Sequence, residues 1–294
     1  MTTLGDKVLK RLMAPRRYIR NEMRRIQGER KKNIINVFWW EEYPNFGDDL
    51  NRLLLEKNGF TPVRQSPSGA DLVFIGSILD MVPDDYRGII MGSGFRTDGH
   101  RRALSNAKIL AVRGHLTADR LSLSSSERVV GDPGLLVSTF AQRQKPLYEI
   151  GLLPHLSDRT APSFNKLGKN LSNRCCIIDP RQKAESVIGQ ISKCALLFSS
   201  SLHGLIIADS LGIPSRWIHL SEDAVPAFKF HDYYSAFEET RLPVQIDGNE
   251  SFQSLLEIAL KPPLRILEVT SSLLSTVEAF LSAHASVKSL SRKT

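Results

Sequence analysis

The segment SSSLHGLIIADSLGIP, residues 199–214, places a histidine where an apolar run gives way to a helical pattern. An imidazole near the start of a helix lies close to the positive end of the helix dipole, which lowers its pKa. Because such a group exchanges protons near neutral pH, His203 is a candidate acid or base. The alternative is a structural role, in which the ring satisfies a local backbone group.

Glycine or polar residues follow six predicted strands at the positions where these strands end. The strands are short apolar runs without in–out alternation, which is typical of parallel strands covered on both faces. Because the C-terminal ends of parallel strands share one edge of a sheet, we expect these residues to line a ligand-binding edge. They are EEYPNFGDD after Trp40, GS after Ile75, GSG after Met91, RG after Val112, GDPG after Val130 and SSSLHG after Phe198.

The strands alternate with helical segments, which predicts an α/β protein with mostly parallel sheets. Residues 33–145 form one predicted Rossmann-like domain, and residues 146–294 form a second that ends in an amphipathic helical region. A stretch rich in Pro, Ser and charge, residues 140–170, contains the predicted linker. If the two domains face each other, their ligand-binding edges form a cleft.

The net charge of +8 lies in the first 32 residues. This leader contains eleven Lys or Arg and three acids; since the whole chain has 39 basic and 31 acidic residues, the remainder has 28 of each. The body is therefore not a basic nucleic-acid binder. Pro15 predicts a break that divides the leader into two short amphipathic pieces. We expect these to bind an anionic membrane surface, and a solvated basic tail is the alternative.

Several other classes of site find no support in the sequence. Three cysteines without a C-x-x-C pair predict buried thiols in a reducing compartment. We find no apolar stretch that approaches the roughly 18 residues of a membrane span, and no secretory signal. The seven histidines include no i, i+4 pair, so no metal site is predicted. A G-x-S-x-G nucleophile elbow and a dinucleotide fingerprint are also missing.

Seven segments occur in the order seen in one enzyme family, an eighth is similar to one of its branches, and the resemblance covers roughly residues 34 to 240. They are NFGDDLNRLLLEKNGF, FIGSIL, GSGFR, AVRGHLTADRL, GDPGLLV, GLLPH, SSSLHGLIIADSLGIPSRW and FKFHDYYSAF. In these segments the chain resembles the polysaccharide pyruvyl transferase family. It is similar in particular to the branch that puts ketal-linked pyruvate on bacterial exopolysaccharides such as succinoglycan.

The resemblance implies a two-domain, GT-B-like fold with the active site between the domains. It implies phosphoenolpyruvate as the donor and a hexose of a polysaccharide, or of its lipid-linked repeat unit, as the acceptor. The product is a cyclic ketal, and phosphate is released. We expect no cofactor beyond phosphoenolpyruvate as co-substrate, no metal, and a cytoplasmic enzyme at the inner face of the cytoplasmic membrane.

This reaction needs an acid for the enol methylene, a base for the acceptor hydroxyls, and cations or N–H groups for the doubly negative donor. By resemblance, His203 is the expected proton donor or phosphate partner, and Arg113 is the expected anion clamp. Asp48 is the expected acceptor-side base, with a role as N-cap of the next helix as the alternative. The further donor-binding candidates are Ser93, Gly94, Ser201, Leu202 and Gly204, and the acceptor-binding candidates are Asn45, His155, Lys229, Asp232 and Tyr233.

The chain departs from the family pattern at Ser201, where many members have arginine before the Leu-His pair. Either another cation binds the donor phosphate, with Arg96, Arg174 and Arg181 as the candidates, or the phosphate is held by the helix N-terminus. Two rival functions stay open at this point. One is a glycosyltransferase that uses a nucleotide sugar, and the other is a non-catalytic membrane-associated binding protein on the same fold.

Overall fold

The computed structural model contains two parallel five-stranded sheets flanked by helices. The backbone is described for residues 4–31, 33–124, 126, 128–220 and 226–290. Every strand pair within each sheet is parallel, so the predicted α/β class is confirmed. The architecture is consistent with two Rossmann-like domains, whereas the boundary at residue 145 stays a prediction.

The N-terminal half of the chain builds the first sheet. Its strands are β1 (Ile34–Phe38), β2 (Thr61–Arg64), β3 (Leu72–Val73), β4 (Ile89–Met91) and β5 (Lys108–Ala111), and its helices are α1 (Leu4–Lys31), α2 (Phe46–Lys57) and α3 (His115–Arg120). The strand order is β2-β1-β3-β4-β5. Because all neighbours are parallel, the five C-terminal ends lie along one edge.

The C-terminal half builds the second sheet in the order β10-β9-β8-β6-β7, where the labels follow the chain. Its strands are β6 (Tyr148–Leu153), β7 (Cys175–Ile177), β8 (Cys194–Ser199), β9 (Ser215–His219) and β10 (Val244–Gln245). The helices are α4 (Pro162–Leu171), α5 (Ala184–Ile191), α6 (Leu202–Ser210), α7 (Phe228–Ser235), α8 (Phe252–Ile258) and α9 (Ile266–Leu290).

Three strand predictions need correction. Strand β6 lies inside the predicted linker, because its polar and Pro-containing flanks dominate the composition of that stretch; it pairs with both β7 and β8. Strand β2 was not predicted because it contains Pro62, which is tolerated here because β2 is an edge strand. The strand expected before GDPG is only a bridge between Val112 and Val130, after which the chain turns into the 3-10 helix Pro133–Thr139.

The predicted break at Pro15 is wrong, since α1 is one helix that continues through this residue. Its second half is held by the first sheet. The amide of Asn21 donates to the Arg64 carbonyl at 3.0 Å, and its oxygen accepts from the Arg64 amide at 2.8 Å. Arg17 donates to the carbonyls of Glu41 and Glu42. These tertiary contacts hold the helix in place beyond the hydrogen bond that proline removes. Residues 1–3 and 32 of the leader lie outside the described residues.

The C-terminal helix α9 is long and apolar enough to cross a membrane by length and composition alone, with a mean hydropathy of 1.3 over Ile266–His284. The expectation that no stretch approaches a membrane span is therefore wrong. Leu273, Val277 and Leu281 are buried at a four-residue spacing in the core that also contains first-sheet residues such as Ile35. This spacing is typical of an amphipathic helix that packs on a core.

The thiols are less buried than predicted. All three cysteines are free, but only Cys194 is buried, whereas Cys175 and Cys176 are half-buried. The latter two belong to β7, which is an edge strand of the second sheet and therefore has a neighbouring strand on one side only.

Candidate active site

A cavity of about 430 Å³, the first cavity, lies where loops from both halves of the chain meet. The first sheet contributes loops after β1, β3 and β4, and the second sheet contributes loops after β6 and β8. Its polar lining residues include Asn45, Asp48, Ser77, Asp80, Arg96, His155, Ser201, His203 and Lys229. Strand-end residues of both sheets therefore share one concave site, where parallel α/β sheets commonly bind ligands.

His203 lies in the first turn of α6, with its ring against the start of α2. The ring packs edge-on against Phe46, with centroids 6.4 Å apart, and a Cβ at Gly47 would lie only 2.2 Å from its Nδ1. Any side chain at position 47 would therefore displace the imidazole. The Nε2 atom is buried and has no hydrogen-bond partner among the described residues.

The environment of His203 keeps its imidazole neutral. Burial lowers its pKa to about 3, and the nearby charges of Lys229 and Arg113 add to this effect. A buried nitrogen without a partner is costly unless a ligand satisfies it. A bound anion would both occupy Nε2 and oppose the two positive charges, so it would raise the pKa of His203.

Asn45, rather than Asp48, caps helix α2. The Asn45 side-chain oxygen accepts from the Gly47 amide at 3.1 Å, and its NH₂ group donates to Asp48 Oδ2 at 2.7 Å. The N-cap alternative for Asp48 is therefore wrong. Burial raises the pKa of Asp48 to about 7, against the opposing effects of the Asn45 hydrogen bond and the Lys229 charge. Its carboxyl group can therefore donate or accept a proton near neutral pH.

A buried asparagine fixes the position of Asp48 relative to the first sheet. The Asn51 NH₂ group donates to the carbonyls of Asp48 and Ile75, both at 3.1 Å, and its oxygen accepts from the Ile75 amide at 3.0 Å. Ile75 directly precedes the loop that carries Ser77 into the first cavity. Helix α2 and this loop are therefore connected through one side chain.

Two cations line the first cavity. Lys229 is almost completely buried; its ammonium lies 5.3 Å from the Phe230 ring centroid and makes no hydrogen bond within the described residues. Burial lowers its pKa to about 7, and repulsion from Arg113 and Arg96 adds to the effect. Arg96 is exposed at the cavity wall, and its guanidinium has no hydrogen bond or ion pair with a described residue.

The other two arginines considered in place of Ser201 lie elsewhere. Arg174 pairs with Glu149 at 2.8 Å and stacks on Phe252. Arg181 pairs with Asp179 at 2.6 Å and lines a neighbouring cavity. Of the three candidates, Arg96 is therefore the one at the first cavity.

His155 is held by a hydrogen-bond chain from the second half of the molecule. Its amide donates to Ser200 Oγ at 2.8 Å, and its Nδ1 lies 2.8 Å from Ser157 Oγ. The hydroxyls of Ser200 and Ser157 donate to Asp158 at 2.6 and 2.9 Å. The Ser157 amide also donates to Nδ1 at 3.3 Å, so Nδ1 is an acceptor in that bond and its contacts do not assign the ring proton to it.

Burial lowers the pKa of His155 to about 2, with further contributions from Lys229, Arg96 and His203. The four side chains thus interact electrostatically across the cavity. Burial and the nearby cations together keep both imidazoles neutral. This environment favours an anionic ligand.

Arg113 lies in the interior beside the first cavity and is not part of its lining. It is fully buried; its Nε donates to Asp232 at 2.8 Å, and its two Nη groups donate to Ser77 Oγ and the Phe95 carbonyl. Asp232 also accepts from the Thr117 amide and hydroxyl, both at 2.7 Å. Arg113 therefore acts on the cavity through Ser77 and through its charge.

Two acceptor-side candidates are likewise internal. Asp232 is fully buried in the Arg113 ion pair, and Tyr233 is fully buried with its hydroxyl donating to Asp209 at 3.0 Å. Neither lines the first cavity, whereas Asn45, His155 and Lys229 do. We therefore propose no acceptor contact for Asp232 or Tyr233.

The donor-side candidates are also divided. Ser201 and Leu202 line the first cavity, but Ser93, Gly94 and Gly204 do not. The Gly94 amide donates to the Gly76 carbonyl at 3.1 Å, so it is not available to a ligand. A Cβ at Gly94 would lie 2.5 Å from Arg113 Cζ, so this glycine gives the arginine space.

Sequence reasoning missed several residues near the site. They are Trp40, Asp80 and Thr97 in the cavity wall and Asp158 behind His155. The strand-end rule already indicated Ser77 after β3, and applied a few residues further it could have found Thr97 after β4. Asp158 gave no signal, since it lies in the stretch that was assigned to the linker.

The two parallel sheets place buried titratable side chains around one cavity, and comparison with known proteins identifies the class of the protein. The model of the polysaccharide pyruvyl transferase family matches residues 18–221, which is more than half of the chain. The chain therefore belongs to the polysaccharide pyruvyl transferase family, as the resemblance predicted. It is a transferase that acts on polysaccharide, and its activity is pyruvyl transfer in polysaccharide synthesis.

Two relatives align with most of the chain. The succinoglycan biosynthesis protein ExoV of Rhizobium meliloti (strain 1021) is 28% identical over 233 residues, which is 75% of this chain and 70% of that protein. The uncharacterized protein L143 of Acanthamoeba polyphaga mimivirus is 28% identical over 226 residues, which is 71% of this chain and 76% of that protein.

Proposed function

We propose that this protein transfers pyruvate from phosphoenolpyruvate to a hexose of a bacterial exopolysaccharide or of its lipid-linked repeat unit. The product is a cyclic ketal, and phosphate is released. The observation that carries this proposal is the first cavity, where Lys229 and Arg96 offer two positive charges beside the unpartnered Nε2 of His203. These groups suit a small donor that carries a carboxylate and a phosphate. We also propose a GT-B-like arrangement of the two halves.

The proposed reaction has two steps. In the first, the donor methylene carbon gains a proton, and an acceptor hydroxyl adds to the adjacent carbon and loses its own proton. In the second, another hydroxyl of the same sugar attacks that carbon, the bond to the phosphate oxygen breaks, and phosphate leaves with the electron pair. Proton gain and loss balance over the two steps, since the second hydroxyl proton leaves with phosphate or buffer.

Named side chains supply these proton transfers. Asp48 takes the acceptor hydroxyl proton, because its raised pKa of about 7 matches a base that works near neutrality. His203 interacts with the donor, either as the proton source for the methylene or as a hydrogen-bond partner of the phosphate. His155 lies on the same wall and contacts the acceptor sugar there.

Incubation with phosphoenolpyruvate and lipid-linked oligosaccharide tests the function. We expect the acceptor to gain the mass of pyruvic acid less one water, with one phosphate released per transfer. The same incubation with a nucleotide sugar should give no transfer. A gain of one hexose from the nucleotide sugar, with no reaction from phosphoenolpyruvate, would instead establish the glycosyltransferase.

We further propose that the protein works in the cytoplasm, peripherally on the inner face of the cytoplasmic membrane, through α1. The outward face of α1 exposes Ile19, Met23 and Ile26 by 58, 65 and 50%, with Arg30 and Lys31 nearby. Apolar residues flanked by cations favour an anionic bilayer surface. Because α1 packs on the first sheet, point changes test this better than its deletion: Met23→Glu should reduce co-sedimentation with anionic liposomes, and unchanged binding would contradict it.

A further inference from the structure

A second cavity of about 440 Å³ adjoins the first and has no role in the donor chemistry described so far. The two cavities share the residues Trp40, Asn45 and Asp48 in their walls. The rest of the second cavity is formed by α1, the loop between β1 and α2, one side of α2, and the segment before α5. Its main charged and aromatic residues are Arg17, Arg20, Arg24, Trp40, Tyr43 and Arg181. A ligand in it would therefore reach Asp48, the proposed base, from the side of α1.

The charge of the second cavity is positive. Six basic and four acidic side chains line it, and one of the acids is Asp48, which burial keeps partly protonated near neutral pH. Arg20 pairs with Glu41 at 2.6 Å, but more than half of its side chain stays exposed. Arg24 lies 3.7 Å from Glu56. Arg52 and Arg181 pair with Glu185 and Asp179, which lie outside the lining, so the cationic groups left for a ligand are those of α1 and Lys183.

One of these groups is incompletely bonded. The Nη2 atom of Arg17 is buried and has no hydrogen-bond partner among the described residues, although its Nη1 donates to two carbonyls. Burial lowers the pKa of Arg17 and of Arg24, and repulsion from Arg20 contributes in both cases. A buried guanidinium nitrogen without a partner is costly, and a phosphate oxygen is the acceptor that best matches its geometry.

Aromatic side chains line the path between the two cavities. The rings of Trp40 and Tyr43 are 5.8 Å apart and tilted by 46°, and both are half-buried. Half-buried aromatic rings offer broad apolar faces with a polar edge, which suits the mixed surface of a sugar ring. Because Trp40 lines both cavities, a saccharide that packs on its ring extends into both of them.

We propose that the second cavity binds the phosphate-bearing end of the acceptor, which is a saccharide joined through phosphate to a lipid. The phosphate binds Arg17 and Arg20, and the saccharide extends past Trp40 to Asp48. The lipid leaves beside α1, whose outer face carries Ile19 and Met23. This inference rests on the proposed pyruvyl transfer to a lipid-linked saccharide, and it adds where that acceptor binds.

Binding of a short analogue, glucose linked through diphosphate to farnesol, tests the proposal on the full chain. Tryptophan fluorescence reports the binding, since Trp39 and Trp40 line the second cavity while Trp217 stacks on Phe230 elsewhere. The variants are Arg17→Gln and Arg20→Gln. The control is Arg16→Gln, which changes an exposed arginine of the same helix that does not line the cavity.

Loss of one charge-assisted hydrogen bond should raise the Kd of either variant about tenfold. Arg16→Gln should bind like the unchanged protein. Arg20→Gln keeps the test decisive if Arg17→Gln disturbs α1, because the Arg20 side chain is largely exposed. Equal Kd values in all four proteins would overturn the proposal.

Inorganic pyrophosphate and phosphoenolpyruvate test whether the second cavity is instead a site for free anions or for the donor. Inorganic pyrophosphate should bind more weakly than the lipid-linked glucose, and equal affinity would mean a site for free anions and overturn the saccharide part. The KM for phosphoenolpyruvate should be the same in Arg20→Gln and the unchanged protein. A selective rise in that KM would assign the second cavity to the donor and overturn the proposal.

The binding assay needs no turnover, so its failure differs from failure of the proposed function. Weaker analogue binding in Arg20→Gln without any pyruvyl transfer would reject the function but keep the phosphate-saccharide site. Pyruvyl transfer with an unchanged acceptor KM in Arg20→Gln would keep the function but reject this site.

Discussion

Two clusters of buried charge lie side by side in this protein, and they differ in how their polar atoms are partnered. In the interior cluster, Arg113 and Asp232 form an ion pair at 2.8 Å with both side chains fully buried, and Thr117 adds two hydrogen bonds. In the first cavity, His203 Nε2 has no partner, and the Lys229 ammonium has no hydrogen bond within the described residues.

The comparison teaches that burial of a charged group does not by itself mark a functional site. Groups that satisfy one another hold the structure, and here they hold the Ser77 loop in place. Groups that are buried without partners are ready to receive a ligand, and their pKa values move: to about 7 for Lys229 and to about 3 for His203. Substitutions in the two clusters should therefore have opposite effects on stability and activity.

The largest effect is expected on the cavity side, from His203→Ala. Loss of the proton source, or of the hydrogen-bond partner of the donor phosphate, should lower kcat for pyruvyl transfer about 10³–10⁴-fold. The Tm should change little, because Nε2 has no hydrogen bond to lose within the part of the chain that the structure describes. Steady-state kinetics and thermal unfolding measure both, and turnover at the level of the unchanged protein would reject a role for His203.

His203→Gln refines the same comparison, because it retains a side-chain N–H but does not titrate. Recovery of most of the activity relative to His203→Ala would assign His203 as the hydrogen-bond partner of the phosphate. Activity as low as that of His203→Ala would assign it as the proton donor.

On the interior side, Arg113→Met should lower the free energy of unfolding by about 3–5 kcal/mol, because it leaves the Asp232 carboxylate buried without its partner. Urea unfolding measures this loss. The double change Arg113→Met with Asp232→Leu is the control, and it should recover part of the stability because no buried charge is left unpaired. A single variant as stable as the unchanged protein would contradict the structural role of the pair.

A smaller effect is expected from Lys229→Met. It should raise KM for phosphoenolpyruvate about 30-fold, since a charge-assisted contact to the donor is lost. Stability should be kept or increased near neutral pH, because burying the ammonium opposes folding. Arg96→Gln is the comparison, and its smaller rise in KM should reflect its exposure. An unchanged KM for phosphoenolpyruvate in Lys229→Met would show that Lys229 does not contact the donor.

The smallest effect concerns pH. Because burial raises the pKa of Asp48 from 3.8 to about 7, its ionised form is less favourable in the folded protein than in the unfolded chain. Ionisation of Asp48 therefore lowers the stability of the folded protein as pH rises from about 4 to 7. Asp48→Asn should stabilise the protein at pH 8, and this gain should vanish near pH 4. Unfolding titrations at both values check it, and a gain that is equal at both would contradict the raised pKa.

Sequence reasoning found the parts of the site that follow from local patterns. Strand ends in parallel sheets share one edge, so the loops that carry Asn45, Asp48 and His203 could be placed near a ligand site from the chain alone. His155 was found through the family resemblance, although its strand was assigned to the linker.

The rest depended on contacts between distant parts of the chain. Arg113 looks like an anion clamp until its partner Asp232, 119 residues away, is known. The helix α1 looks like a free basic leader because Arg17 and Asn21 are polar, and their bonds to the first sheet have no signal in the sequence. The choice of Arg96 over Arg174 and Arg181 likewise needed their positions in three dimensions.

The central claim is that Lys229, His203 and their neighbours bind a doubly negative donor, and proton uptake on binding tests it most directly. Titration calorimetry with phosphoenolpyruvate at pH 8, in two buffers of different ionisation enthalpy, gives the number of protons taken up. The account predicts binding with net uptake, because the anion raises the pKa of Lys229 from about 7, and much less uptake in Lys229→Met. Absence of binding, or binding with the same proton uptake in both proteins, would contradict it.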